Sequence, residues 1–262
     1  MPTSFDVESL GPGGRYAVER VADIADITSS SRILEVGAGH GIASIQLAET
    51  RQCRVVATDN DIEKLERLQR RVLSLGLEGL IDAWKLDCTK PWPNSAESFD
   101  LVFAGSVLDR VENMQTPIME AYRVLRPGGL FAIYGAVWKR EEGRDESVMR
   151  VLGPELQSLA DYELRLTEAD FRIAASRLLP DHLWSDYYRQ FVNKIEEKVD
   201  DEPDVALPWG WYEEAAIVLT HLDSIGVGLV VGRKPHEPID IDAALEALQE
   251  LDLQEILEAP RP

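Results

Sequence analysis

The chain has 262 residues, 45% of them apolar, which is enough for one large domain or two small ones around a sizeable core. Its net charge of −20 argues against a nucleic-acid groove, which needs a basic footprint, and against binding to an anionic membrane surface. No run is long enough to cross a bilayer, Met1 to Leu10 lacks the basic start and apolar run of a signal peptide, and two scattered cysteines with four histidines make no zinc or iron pattern; free thiols, a reducing cytoplasm and no metal are expected.

Val18 to Ala25 has the pattern of an N-terminal helix. Ile33-Leu34-Glu35-Val36 then reads as an apolar strand carrying a carboxylate. Gly37, Gly39 and Gly41 follow at every second position, and a helical pattern runs from Ile42 to Glu49. Glycine lets a ligand lie against the main chain, so a strand–glycine turn–helix unit signals a nucleotide site. Dinucleotide folds prefer G-x-G-x-x-G, whereas here the third glycine comes one residue early. Arg54 to Asp59 reads as a second buried strand ending in a carboxylate. Asp59 lies 22 residues after Gly37, near the ~20-residue offset of a ribose-binding acid. Two vicinal hydroxyls donate and an ionised carboxylate accepts on two oxygens. Asp59 and Asp61 are also candidate caps for the helix from Ile62 to Ser74.

Ile81 to Leu86 reads as a third strand, followed by Asp87-Cys88. Ser98 to Ser106 contains a fourth strand and the small residues after it. A helix from Met114 to Val124 leads into Arg123 to Ile133, where Pro127 and Gly128 end the helix and Gly129 starts a fifth strand. This alternation implies right-handed βαβ units and a mainly parallel sheet with helices on both faces. Ligands of such sheets bind beyond the carboxyl ends of the strands, where Glu35–Gly41, Asp59, Asp87–Cys88 and Ala104–Ser106 all fall.

The turn from Glu35 to Gly41 and the Leu125-Arg126-Pro127-Gly128-Gly129 segment, in order with the acids between them, resemble class I S-adenosylmethionine-dependent methyltransferases of the small-molecule, type 11-like kind. The likeness spans about Ser31 to Tyr134. It implies an α/β fold, doubly wound, with a mainly parallel, Rossmann-like sheet of seven strands. It also implies S-adenosylmethionine as cofactor. On that likeness Glu35, Gly37, Gly39 and Gly41 shape the methionine end, Asp59 holds the ribose, Asp87 accepts the adenine amino group and the backbone at Cys88 lies beside the ring. Ala38, Asn60, Ala104 and Gly105 complete the cofactor-binding set.

Gly135 to Glu155 reads as a polar connection containing Trp138. Leu156 to Tyr162 and Glu168 to Phe171 look helical. Arg172 to Leu179 reads as a sixth strand, parallel to the others, and Ile225 to Gly232 as a seventh. Pro180 to Ser224 separates them where a plain methyltransferase core has a short hairpin. Long insertions of this kind are usually functional, so an aromatic-rich helical cap between the last two strands, on the ligand face, is expected. It carries Trp184, Tyr187, Tyr188, Phe191, Trp209, Trp211 and Tyr212, with Trp184, Tyr188 and Phe191 spaced for one helix face. Tyr16, Trp138, Trp184 and Tyr188 are candidate walls of an acceptor pocket, against the alternative that they only glue the cap to the core. Leu178 to Tyr188 and Leu10 to Arg15 further resemble a poorly characterised branch of small-molecule methyltransferases.

A general base is required only by an acceptor that must lose a proton. Asp109, His40 and Tyr187, with His182 and Tyr16, are the candidates; for Asp109 a helix cap or an ion pair with Arg110 is the competing role. Residues 1–235 are expected to form the methyltransferase domain, with an N-terminal helical cap at 1–30, the cofactor-binding core at 31–135 and the cap insertion at 180–224. Residues 236–262 form an acidic tail, read either as a docking helix or as a solvated extension. Twenty arginines against seven lysines fit a high-salt cytoplasm or simply an acidic protein. The expected partner is a small-molecule methyl acceptor, with no nucleic acid and no membrane, in a monomer or homodimer. An NAD(P)-dependent Rossmann oxidoreductase and a non-catalytic S-adenosylmethionine-binding protein are the alternatives. The early third glycine counts against the first. Ala104-Gly105-Ser106-Val107 replaces the Asn/Asp-Pro-Pro-aromatic signature of adenine-DNA methyltransferases.

Overall fold

The computed structural model describes residues 11–140, 144–190 and 209–236. Its sheet has the order β3-β2-β1-β4-β5-β7-β6, built from β1 (Arg32–Val36), β2 (Arg54–Asp59), β3 (Ile81–Lys85), β4 (Phe99–Gly105), β5 (Leu125–Trp138), β6 (Arg172–Leu178) and β7 (Ile225–Arg233). Helices α1 (Gly14–Ile24), α2 (Ile42–Arg51), α3 (Ile62–Leu75) and α4 (Gln115–Val124) each precede a strand, β3 leads to β4 with no helix between, and α5 (Glu146–Leu152) and α6 (Leu159–Glu168) both lie between β5 and β6. Helix α7, described over 182–190, and α8 (Trp209–Thr220) lie between β6 and β7, where the cap was expected.

β1 to β5 pair in parallel, and β7 runs antiparallel to both β5 and β6, so β6 is parallel to β5. Strand residues alternate between two cores, as a period of two requires. Ile33, Leu101, Phe103 and Leu130 join α1, α2, α3 and the cap; Leu34, Val102, Phe131 and Ile133 join α4 and α6. Helix α3 shows how local sequence fits this plan. Asp61 caps it by accepting from the backbone N–H groups of Glu63 and Lys64, Leu65, Leu68 and Val72 form its buried stripe, and left-handed Gly76 ends it. Because Asp61 takes the capping role, Asp59 is released from it.

Chain order reverses between β1 and β4, which opens a crevice beyond their carboxyl ends. Several local expectations need correction. Helix α4 ends at Val124, as its pattern predicted, but Pro127 and Gly128 are not what ends it. Leu125 is already extended and pairs with Phe99, and Pro127 disfavours a helical Arg126. The Pro-Gly-Gly residues then bulge out of β5, held by Gly128 N to Lys234 O at 2.9 Å and by the Lys234 ammonium to Leu125 O at 2.8 Å. The supposed polar connection begins within β5, which runs on to Trp138, and includes α5, which Asp145 caps. Glu168 closes α6, whereas Ala169 to Phe171 turn into β6 through Asp170 at φ 64°. Phe191, the side chains of Trp209 and Trp211, and the tail beyond His236 lie outside the described residues.

Candidate functional site

A cavity of about 630 Å³ occupies the crevice, within the ~300–1,000 Å³ usual for small-molecule sites. One half is walled by Gly37, Ala38, Gly39 and His40 from the turn after β1, by Asp59 and Asn60 from the end of β2, and by Asp87 and Cys88 after β3. The other half is walled by Gly105 to Val107 and Asp109 to Glu112 after β4, by Leu152 of α5, and by Trp184, Tyr187 and Glu214 of the cap.

The glycine turn and Asp59 form one hydrogen-bonded unit. Asp59 accepts from Gly39 N at 2.8 Å through Oδ2 and from Asp61 N at 2.9 Å through Oδ1. Each oxygen keeps a further lone pair for a ligand. The turn is pinned to β2 from behind, with Ala38 N donating to Thr58 O at 2.8 Å and the Thr58 hydroxyl donating to Glu35 O at 2.7 Å. A Cβ at Gly39 would meet nothing within 4 Å, whereas one at Gly41 would meet Leu68 Cδ1 at 2.0 Å. Gly39 therefore borders open space, and Gly41 seats α2 against α3. These features fit a small polar ligand lying along the main chain of the turn. Asp87 is exposed and its Oδ1 accepts from the Thr89 hydroxyl at 2.6 Å and from Thr89 N at 3.0 Å; these bonds hold its pKa below the usual carboxylate value. Cys88 O accepts from Trp92 Nε1 at 3.2 Å, which fixes the backbone beside it.

Six of the candidate residues stand off the cavity wall. Ala104 is buried in the sheet and Gly41 packs on Leu68. Tyr16 sits on the outer face of α1, 48% exposed, because Ala17, Val18 and Val21 form the inner face. Trp138 is buried at the end of β5, where its backbone N–H donates to Gln157 O. Tyr188 is buried behind Trp184 and donates to Glu214 at 2.8 Å. His182, a further base candidate, is exposed and also off the wall.

Glu35 is the sixth. It lies behind the turn, 2% exposed, accepting a hydrogen bond from the Ser44 hydroxyl. Burial pushes its pKa from 4.5 to about 7, against the lowering effect of Ser44. A carboxyl that binds its proton more tightly when folded adds stability below the unfolded pKa and loses it as pH rises through the folded one. Glu35→Gln should therefore flatten the pH dependence of stability between about 4.5 and 7, removing a wild-type loss of up to ~3 kcal/mol. Denaturant unfolding of both proteins at about pH 5 and about pH 8 checks this; parallel losses would mean that another group carries the dependence.

The sequence reading placed Ser106 at the ligand end of its strand but missed Gly11, Pro12, Arg110, Leu152 and Glu214 as wall residues. Pro12 is held at the wall by a hydrogen bond from the buried Tyr134 hydroxyl to its carbonyl. Ser106 has φ 52°, a strained value for a non-glycine residue and a feature that clusters at functional sites. Asp109, by contrast, is both on the wall and 5% exposed, and burial pushes its pKa from 3.8 to about 6 despite the opposing Arg110.

The sheet order, the glycine turn and the strand-end acids together define the architecture of class I methyltransferases. Residues 34–133 match the family described as "Methyltransferase domain". The sterol 24-C-methyltransferase of Eremothecium gossypii is 28% identical over 190 residues, covering 72% of this chain and 47% of that protein. The chain thus spans just under half the length of this relative. The crystal structure of the [4+2]-cyclase SpnF aligns with a TM-score of 0.72 at 20% identity, covering 85% of this chain and 81% of that one. A Geobacter sulfurreducens S-adenosylmethionine-dependent methyltransferase in complex with S-adenosylhomocysteine aligns with a TM-score of 0.68 at 14% identity, covering 87% and 94%. At these identities the two structures establish likeness of fold. Among the described residues no helix is long and apolar enough to cross a membrane.

Proposed function

We propose that the chain binds S-adenosylmethionine and transfers its methyl group to a small molecule. The carrying observation is the direct bond from Gly39 N to Asp59, which joins the glycine turn and the strand-end acid in one wall of one cavity. On this reading Gly37 to Gly39 support the methionine end, Asp59 and Asn60 hold the ribose, and Asp87 with the backbone at Cys88 takes the adenine. Glu35 and Gly41 support the turn from behind. When bound, the cofactor supplies a methyl group on a positively charged sulfur, open to in-line displacement by a nucleophile. The protein aligns the two partners and keeps water out. If the acceptor must lose a proton, Asp109, His40 and Tyr187 are the candidates on the cavity wall to take it. The reading takes residues 1–235 as the catalytic domain and 236–262 as an appended tail.

The test is calorimetric titration with S-adenosylmethionine, S-adenosylhomocysteine and NADH in parallel. Binding of the first two and not of NADH is the expected result. Binding of NADH alone would turn the same crevice into a dinucleotide site. The cyclase with this fold motivates one further measurement, since one architecture hosts more than one chemistry: S-adenosylhomocysteine must accumulate with turnover, or the site binds cofactor without transferring methyl.

A further inference from the structure

Two residues that wall the half of the cavity formed by the cap and the segment after β4 each carry a buried polar atom with no partner among the described residues. They are Asp109 and Trp184, at 5% and 2% exposure. Among the described residues, Oδ1 of Asp109 and Nε1 of Trp184 have no hydrogen-bond partner. Leaving a buried acceptor or donor unmade costs its full desolvation, so such atoms are usually paired. The residues that carry them line the cavity, so a partner can reach these atoms from that side once the two side chains turn toward it. Both groups are held on ordered elements. Asp109 lies in the short 3-10 turn Leu108–Arg110, over which left-handed Gly153 packs so closely that a Cβ there would come within 2.5 Å of Asp109 O. Trp184 stacks on Tyr188 at 5.9 Å and 11°, and Tyr188 is tied to Glu214.

Charge restricts the ligand further. Among the described residues, this half of the wall bears Asp109, Glu112 and Glu214 against Arg110 alone. A phosphate or carboxylate entering it meets an excess of negative charge in a partly desolvated crevice, where like charges repel strongly. An amine or hydroxyl meets acceptors instead, and Trp184 and Tyr187 offer aromatic faces that favour a cation.

We propose that this half of the cavity is a subsite for a neutral or cationic small molecule that donates an N–H or O–H to Asp109 and accepts from Trp184 Nε1, and that it rejects anionic acceptors. The proposal rests on the methyltransferase reading above and narrows its substrate class to amines and alcohols or phenols. Specificity here is as much exclusion as attraction, since the acids work against the wrong ligand.

Three matched probes test it: benzylamine, benzyl alcohol and phenyl phosphate. Their binding is measured by ligand-observed NMR on protein saturated with S-adenosylhomocysteine. Benzylamine and benzyl alcohol should each bind at least about tenfold more tightly than phenyl phosphate. Asp109→Asn should weaken benzylamine by about tenfold or more while S-adenosylhomocysteine affinity stays unchanged. Phenyl phosphate binding as tightly as benzylamine overturns the proposal, as does binding of none of the three. The wild-type ranking needs no substitution, so a poorly folding variant does not remove the test. A protein that fails to bind S-adenosylhomocysteine sinks the methyltransferase reading itself; one that binds it yet ranks the probes the other way sinks the subsite alone.

Discussion

Asp59→Ala is expected to weaken S-adenosylmethionine and S-adenosylhomocysteine by at least about 100-fold, near 2.7 kcal/mol, while the sheet stays folded. The carboxylate accepts from two backbone N–H groups, Gly39 and Asp61, and borders the cavity with lone pairs to spare. Its loss removes the ligand's charged acceptor and at the same time frees the turn that carries Gly39. The fold survives because β2 is held by its neighbours: Val55 to Ala57 pair with β1 on one side and β3 on the other. Calorimetric titration with a thermal melt of the same sample separates the two effects. Affinity preserved to within about twofold would mean that Asp59 does not touch the ligand.

Gly41→Ala and Gly39→Ala should fail in opposite ways. At Gly41, φ is 73° and the new Cβ would sit 2.0 Å from Leu68 Cδ1 and 2.9 Å from Cγ. Leu68 is fully buried, so it has nowhere to turn. A left-handed alanine costs about 1–2 kcal/mol and overpacking adds about 1–3, so a loss of about 2–4 kcal/mol in unfolding free energy is expected. At Gly39, φ is 54° and no atom lies within 4 Å. Stability should fall by only about 1 kcal/mol, but the methyl stands where a ligand approaches the turn, and S-adenosylhomocysteine should weaken by about tenfold or more. Denaturant unfolding and titration on both variants check the split. A Gly39 variant with full affinity and a Gly41 variant with full stability would show that the turn is neither a cradle nor a seat.

Strands β1, β2 and β4 were legible because they are short, largely buried apolar runs, each ended by an acid or a small residue. Ile33 to Val36 and Val55 to Asp59 are buried without interruption. A residue's place at a strand end is a local property, so Asp59, Asp87 and Gly105 could be assigned to the crevice from sequence. Which way a side chain faces across the cap is not local. Trp184 and Tyr188 do share a helix face, but only Trp184 reaches the wall, because Tyr188 is drawn to Glu214, 26 residues away. Glu214 itself carries no mark in the sequence. The seven-residue α5 buries only Val148 and Leu152, too little periodicity to read, although Asp145 was an available cap signal. Trp138 suggested a pocket aromatic by type alone; the antiparallel register with β7, which pairs it with Ile225, places it in the core. Ser106 was placed at a strand end as a small residue, but its left-handed backbone cannot be inferred from residue type.

The register of β6 and β7 has one further consequence. Leu178 pairs with Gly228, and Leu179 N donates to Val227 O at 2.8 Å, so the two stems of the cap are bonded side by side where it leaves and rejoins the sheet. A segment whose ends already touch can be exchanged for another of different length at little entropic cost. Everything that positions Asp59 and the glycine turn lies upstream of that junction. The cap can therefore be grafted in or out as a cassette, leaving the glycine turn and Asp59 intact while the other wall of the cavity changes.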